Sequence, residues 1–250
     1  MFKKDREIWL YLIGILLMFG VILTFSKEVF NPFLKGKTNI VTNALPKPSL
    51  TIDKDKVYIA NLHTNYGVMT ILLYAASAPE NVNNFIYLSN KNYYSNLKFH
   101  RLIPDLLLQG GDPYTSKPDI SNYGKGNTGY LIKDEVNWDN IGLSDSQKNK
   151  LTVAGYSSTN NLKSYGLDKY TIAMANNGPN TNSSQFFIVL ADYSDSRIKE
   201  LNGFFTVIGK VINGTDVLDQ INKIPVNDPK SNNPLPTKDI IIQKIEINNL

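Results

Sequence analysis

From residue 57 onward, the apolar residues of this 250-residue chain come in short runs cut by Gly, Asn and Pro. That spacing restricts the fold more than any other feature. Residues 57–74 alternate around Thr64-Asn65-Tyr66-Gly67, which predicts a hairpin. Pro79 suits the first turn of a helix, and Val82, Phe85 and Leu88 give that helix an apolar face. Residues 170–173, 185–190 and 204–211 read as further strands. Gly214 precedes a short amphipathic helix over 217–224, and 240–247 alternates as a closing strand. Many short strands with two helices predict a mainly β fold, a closed antiparallel barrel rather than a parallel sheet with crossover helices. With 42% hydrophobic residues, including 14 Tyr and 11 Phe, there is enough apolar material for a substantial core. No internal repeat is present.

The first fifty or so residues are different. Residues 8–25 form an eighteen-residue stretch without a charge. As a helix it would extend roughly 27 Å, close to the ~30 Å hydrocarbon core of a bilayer. Its apolar residues cover every face, unlike the single stripe of a helix packed on a core. Trp9 and Tyr11 lie near one end, where amphipathic rings favour the membrane interface. The reading is a basic flank (1–7), a transmembrane anchor (8–25), a flexible linker (26–56) and a globular domain (57–250). Lys3, Lys4 and Arg6 favour a cytoplasmic N-terminus, so the domain is expected outside the cytoplasm of a cell membrane crossed once. The alternative is secretion after signal cleavage, although the run is long for a signal peptide and no A-x-A-like site follows promptly. An ordered extension packed on the domain is the alternative for the linker, which contains Pro32, Pro46 and Pro48.

A net charge of +4, scattered along the chain, does not point to nucleic acid. The chain has no cysteine, which excludes disulfides and thiolate chemistry and leaves the redox compartment open. Gly124-Lys125-Gly126-Asn127-Thr128-Gly129 matches G-x-G-x-x-G. It lacks the strand before and helix after that a dinucleotide site requires. No cofactor is expected. His63 and His100 are the two histidines and no carboxylates cluster with them, so no metal site is expected. Asn182-Ser183-Ser184 and Asn213-Gly214-Thr215 are formal glycosylation sequons.

Two segments carry the functional signal. One runs Phe99-His100-Arg101-Leu102-Ile103-Pro104 through Gln109-Gly110-Gly111-Asp112. The other runs Met174-Ala175-Asn176-Asn177-Gly178-Pro179-Asn180-Thr181-Asn182 through Gln185-Phe186-Phe187. Together, in this order and at this separation, they resemble the two signature blocks of the cyclophilins, the peptidyl-prolyl cis/trans isomerases. The resemblance, of a bacterial-like type with an added N-terminal anchor, runs from about Val57 to the C-terminus. It implies an eight-stranded barrel capped by two helices. It also implies an isomerase that assists the folding of exported proteins and binds proline-containing polypeptides as a monomer.

An X-Pro bond rotates slowly because resonance sets a barrier of ~18–20 kcal/mol. A catalyst needs no nucleophile, metal or base, only tighter binding of the twisted amide than of either planar form. Twisting makes the prolyl nitrogen an acceptor, and a guanidinium beside it stabilises that state while keeping its charge at any working pH. By resemblance, Arg101 is the catalytic arginine. Phe187, Leu107 and Leu106 should wall the proline pocket, with Leu201 and Phe205 on its rim. Gln109 should bond the substrate backbone, and Asn176 should pair the preceding residue through its main chain. Ala175 and Asn177 should flank that contact, Gln185 should lie beneath the groove, and Gly124 should border it. His100, Asp134 and Glu135 match structural positions, and His63 is expected to be exposed. Leu106 and Leu107 stand where well-studied relatives have Phe and Met. Counting back from Gly209, Phe205 replaces a His and Glu200 a Trp that binds cyclosporin, so cyclosporin binding is expected to be weak. Residues 136–169 are longer than the family needs and include Trp138, Leu143, Leu151 and Tyr156. A small helical subelement over the barrel is expected there. Two other readings stay open: a membrane-tethered proline-binding or holdase module with incidental catalysis, and a structural subunit of a membrane complex that docks through 136–169.

Overall fold

The computed structural model describes residues 45–249, so the expected basic flank, transmembrane anchor and most of the linker lie outside the described residues. Among the described residues no helix is long and apolar enough to cross a membrane. The chain order is β1 (Tyr58–Thr64), β2 (Gly67–Leu73), α1 (Pro79–Asn90), β3 (Arg101–Ile103) and β4 (Leu107–Gly110). There follow α2 (Asp145–Val153), β5 (Thr171–Met174), β6 (Phe186–Val189), α3 (Ser196–Leu201), β7 (Val207–Asn213), α4 (Thr215–Asn222) and β8 (Ile242–Asn249). Two short 3-10 turns, Pro113–Ser116 and Ile120–Asn122, lie between β4 and α2.

The eight strands form one antiparallel sheet in the order β3-β4-β6-β5-β7-β2-β1-β8. It is an open half-barrel, which corrects the expected closed barrel. The two edge strands share no ladder. An isolated Lys98–Ile241 bridge and three backbone bonds, Asn96 N to Ile242 O, Phe99 N to Ile240 O and Ile242 N to Leu97 O, join the segments that lead into them. The reason is local. β3 has only three residues, and beside it runs the chain around Pro234, whose carbonyl accepts the Leu102 amide. Proline carries no amide proton to continue a ladder.

The interior is filled from one face of each strand. Leu108 of β4, Ile172 and Met174 of β5, Phe186 and Ile188 of β6, and Ile208 of β7 belong to it, together with Val82, Phe85 and Leu88 from α1. Phe186 is the aromatic hub, with Phe85, Tyr94 and Phe99 edge-on at centroid distances of 5.5, 5.5 and 5.8 Å. Such edge-to-face pairs add to burial because the positive ring edge meets the negative face. The opposite faces of β4, β5 and β6 are buried as well, so these strands show no polar alternation.

α1 begins at Pro79 without a side-chain cap of its own. Glu135 supplies one across the fold. Its carboxylate accepts the amides of Glu80 (3.0 Å) and Asn81 (2.9 Å) and the side-chain amide of Asn81 (2.8 Å). An anion there also suits the positive end of the helix dipole. Within the 26–56 segment, the residues from Ser49 onward are bonded to the domain. Asn83 accepts the amides of Thr51 and Ile52 on Oδ1 and donates to Ser49 O, and Tyr58 Oη accepts the Asp53 amide.

Segment 136–169 carries α2, opened by a capping box between Ser144 and Gln147. Gly203 (φ +93°) makes room for it, because a Cβ at that position would lie 2.7 Å from both Leu143 Cδ1 and Leu151 Cδ1.

Candidate active site

Strand register lays the site out as a transverse row. Arg101 on β3 faces Gln109 on β4, Gln109 faces Phe187 on β6, Phe187 faces Ala173 on β5, and Ala173 faces Val207 on β7. Directly opposed residues have their Cβ atoms ~4.5–5.5 Å apart, so five strands present one strip that is cationic at one end and apolar at the other. Alternation also puts Leu107, two residues before Gln109, on this face. Leu106 falls outside it, buried and with its carbonyl accepting the Leu190 amide.

The cationic end is held by a relay of amides. Arg101 Nη1 donates to Gln109 Oε1 (3.1 Å), and Gln109 Nε2 donates to Gln185 Oε1 (3.0 Å). Gln185 Nε2 then donates to the carbonyls of Gly124 (3.0 Å) and Gly126 (2.8 Å). Arg101 is only 7% exposed, and burial pushes its guanidinium down to about 10, which leaves it charged at neutral pH. Its bond to the neutral Gln109 fixes the guanidinium without cancelling its charge.

The Gly124–Gly126 loop has its own anchor. Asp112, fully buried, accepts the amides of Tyr114 (2.8 Å) and Gly124. Burial pushes the Asp112 carboxyl up to about 6, against the pull of those amides. Gly126 must lack a side chain, since a Cβ there would lie 2.2 Å from Asp112 Oδ1. Asp112 is the functional residue that sequence reasoning left without a role, although it ends the first block.

The apolar end is walled by Phe187 and Phe205, whose rings meet edge-on with centroids 5.1 Å apart. Leu107, Leu201 and Phe205 are all buried, and Leu201 closes α3. Glu200, the expected replacement for the family Trp, is exposed and lines a cavity of about 120 Å³ with Lys150, Lys199 and Phe204.

Ala175 donates its amide to Gln185 O (2.9 Å), which joins the second block to the relay. Asn176 uses its side chain internally, with Nδ2 donating to Phe204 O (2.8 Å) and Oδ1 accepting from Tyr156 Oη (3.1 Å). The main chain of Asn176 is therefore the part suited to meeting a peptide. Asn177 donates its amide to Thr181 Oγ1 (2.8 Å), a brace for the loop.

His100 is buried. Desolvation, and then the neighbouring guanidinium, push its imidazole down to about 3, so it is neutral at working pH. His63 is partly exposed and bonds Glu246 at 2.9 Å. Among the described residues no three His, Cys, Asp or Glu side chains stand together as a metal site. A second cavity, of about 440 Å³, is bordered by Asp105, Lys169, Asp192 and Arg197 and contains none of the residues of the row. The convergence of a fixed guanidinium, amide acceptors and an aromatic wall, rather than cavity size, marks the row as the site.

A buried, charged, donor-only group beside an apolar slot can hold a peptide while its amide twists, and such a site on a β half-barrel defines a class. Residues 59–247 match the family described as "Cyclophilin type peptidyl-prolyl cis-trans isomerase/CLD". The chain belongs to that family of isomerases. It is 36% identical over 187 residues to "Peptidyl-prolyl cis-trans isomerase-like 3" of Gallus gallus, covering 74% of this chain and 93% of that protein. Its identity to "Peptidyl-prolyl cis-trans isomerase CYP18-2" of Arabidopsis thaliana is 34%, covering 65% and 79% of the two chains. Among solved structures, a cyclophilin type peptidyl-prolyl cis-trans isomerase of Cryptosporidium parvum superposes with a TM-score of 0.57 at 27% identity, covering 77% of this chain and 98% of that one. The same Cryptosporidium protein in the presence of the dipeptide Ala-Pro gives a TM-score of 0.56 at 28% identity, covering 76% and 98%.

Proposed function

We propose that this isomerase works through Arg101 on X-Pro bonds of polypeptides crossing or leaving a membrane, to which residues 8–25 anchor it. The observation that carries the reading is the relay from Gly124 and Gly126 through Gln185 and Gln109 to Arg101, set beside Phe187 and Phe205. The proline ring enters the apolar end of the row, against Phe187, Leu107 and Phe205. The guanidinium then lies beside the prolyl nitrogen and donates to it as its lone pair localises in the twisted amide. Gln109 meets the substrate backbone, and the Asn176 main chain pairs the preceding residue. Uncatalysed rotation takes tens to hundreds of seconds. Reaching roughly a hundred turnovers per second requires about 5–6 kcal/mol of selective stabilisation at 1.36 per decade. A charge-assisted hydrogen bond in a water-poor slot, with orientation already fixed, has that magnitude. The structure of the Cryptosporidium relative in the presence of the dipeptide Ala-Pro supports proline-containing peptides as the ligand.

The full chain, in detergent, should accelerate isomerisation of a short X-Pro peptide without added metal or nucleotide. Cyclosporin should inhibit it poorly, because by resemblance Glu200 replaces the Trp that bonds the drug in relatives and Phe205 replaces a His on the pocket rim. An unchanged isomerisation rate with folded protein at micromolar concentration would favour the alternative, a proline-binding or holdase module.

A further inference from the structure

Segment 136–169 meets the second signature block through the Tyr156 side chain. Tyr156 is buried just after α2, and its amide donates to Leu151 O at 3.0 Å. Its hydroxyl lies 3.1 Å from Asn176 Oδ1, and its ring meets Phe204 edge-on with centroids 5.0 Å apart. Asn176 Nδ2 donates in turn to Phe204 O at 2.8 Å. Tyr156, Asn176 and Phe204 thus close a triangle of hydroxyl to amide, amide to carbonyl, and ring to ring.

Both sides of the groove meet in that triangle. Asn176 belongs to the loop after β5, and Phe204 directly precedes Phe205, whose ring walls the apolar slot. A side-chain amide is held in one orientation only when its oxygen has a donor and its nitrogen an acceptor. Without the Tyr156 hydroxyl, Asn176 Oδ1 would keep only the longer bond from the Gly178 amide, at 3.4 Å. The surrounding segment is itself pinned. Leu143 and Leu151 pack over Gly203, and the Leu167 amide donates to Asn202 Oδ1 at 2.9 Å. Burial raises the Tyr156 hydroxyl well above its ordinary range, so it remains a donor at any working pH.

We propose that Tyr156 is a positioning residue for substrate binding: its hydroxyl orients the Asn176 side chain, and through it the Asn176 main chain that pairs the residue before the substrate proline. The inference rests on the role given to Asn176 above. It makes segment 136–169 part of the binding apparatus rather than a surface addition. The residue before the proline is bonded alike in the planar and twisted amides. Loosening that contact weakens both states equally, which raises KM and leaves kcat in place.

Tyr156→Phe keeps the ring on Phe204 and removes only the hydroxyl. In the full chain it should raise KM for a short X-Pro peptide about 3–10-fold, with kcat within about twofold and a melting midpoint within a few degrees of wild type. Asn176→Ala alone should raise KM as well, and adding Tyr156→Phe to it should change nothing further, because the hydroxyl then has no amide to orient. A wild-type KM in Tyr156→Phe, a loss confined to kcat, or the same KM rise in the Asn176→Ala background would each overturn the proposal. Arg101→Ala measured in parallel separates the two levels. If it is inactive while Tyr156→Phe behaves as wild type, only the positioning role fails. If it is fully active, the site assignment fails with it.

Discussion

Arg101 and His100 are adjacent in sequence and both buried, yet the fold uses them in opposite ways. The guanidinium keeps its charge, while the imidazole, pushed down to about 3, loses its own. Rotation about an amide moves no proton, so a neutral His100 has no acid–base part to play. Activity should therefore be flat from about pH 7 to pH 9, and a change of kcat/KM within that range would contradict this. Stability responds differently. Below about pH 6.5 the unfolded chain binds a proton at His100 that the folded chain refuses until about pH 3, so this residue makes stability fall as pH drops through that window. Asp112 and Asp134, both pushed up to about 6 by burial, work against it. Between about pH 4 and pH 6 the folded state holds their protons and the unfolded state does not, so their contribution is lost as pH rises through about 6.

At the scale of elements, Glu135 shows one segment completing another. It is the second residue of the Asp134-Glu135 pair that the sequence marks as structural, and it closes the N-terminus of α1 from 54 residues away in the chain. Glu135→Ala removes the acceptor of the Glu80 amide and of the buried Asn81 amide and should cost about 1–3 kcal/mol. At roughly 2–4 °C per kcal/mol for a domain of this size, a melting curve would resolve the loss, and an unshifted midpoint would refute the capping role.

The β1–β2 hairpin and α1 were legible because their local signals are strong: alternation around a Gly turn in one, Pro79 with a three-residue apolar spacing in the other. β3 and β4 were not legible. Leu107, Leu108 and Gly110 are buried and Gln109 is only 8% exposed, so the period of two vanishes where both faces are covered. The block residues named candidates for the site but not their row, because register is a property of paired strands. Tyr156 gave no signal as part of the site, since its contact with Asn176 spans 20 residues and depends on how segment 136–169 packs.

At the scale of the whole molecule, the half-barrel serves as a rigid frame. Its inner face is filled by Phe186 and its neighbours, while the outer face of the same strands carries the row. The reaction asks for little motion from the protein, and the relay leaves Arg101 oriented before substrate arrives. Where that frame works turns on the proposal that residues 8–25 anchor the chain. If they anchor the chain, it should fractionate with membranes, and protease reaching the outer face should release a folded domain by cutting before Leu45, which packs against the core. Protection of that region would reverse the topology, and a mature N-terminus beyond Phe25 would mean a cleaved signal instead.

The central claim is that a fixed guanidinium, rather than the pocket alone, lowers the rotational barrier. Removing one preorganised donor to a transition state costs about two to three decades in comparable sites, so Arg101→Ala should reduce turnover by about one to three decades in a chain that still folds. Arg101→Lys should recover little, because a point charge does not reproduce the planar fork held by Gln109. The deciding measurement is kcat/KM for X-Pro isomerisation by wild type, Arg101→Ala and Arg101→Lys, each checked for its fold. A steep loss in both variants is the predicted result, and near-wild-type turnover by a folded Arg101→Ala protein would contradict the account.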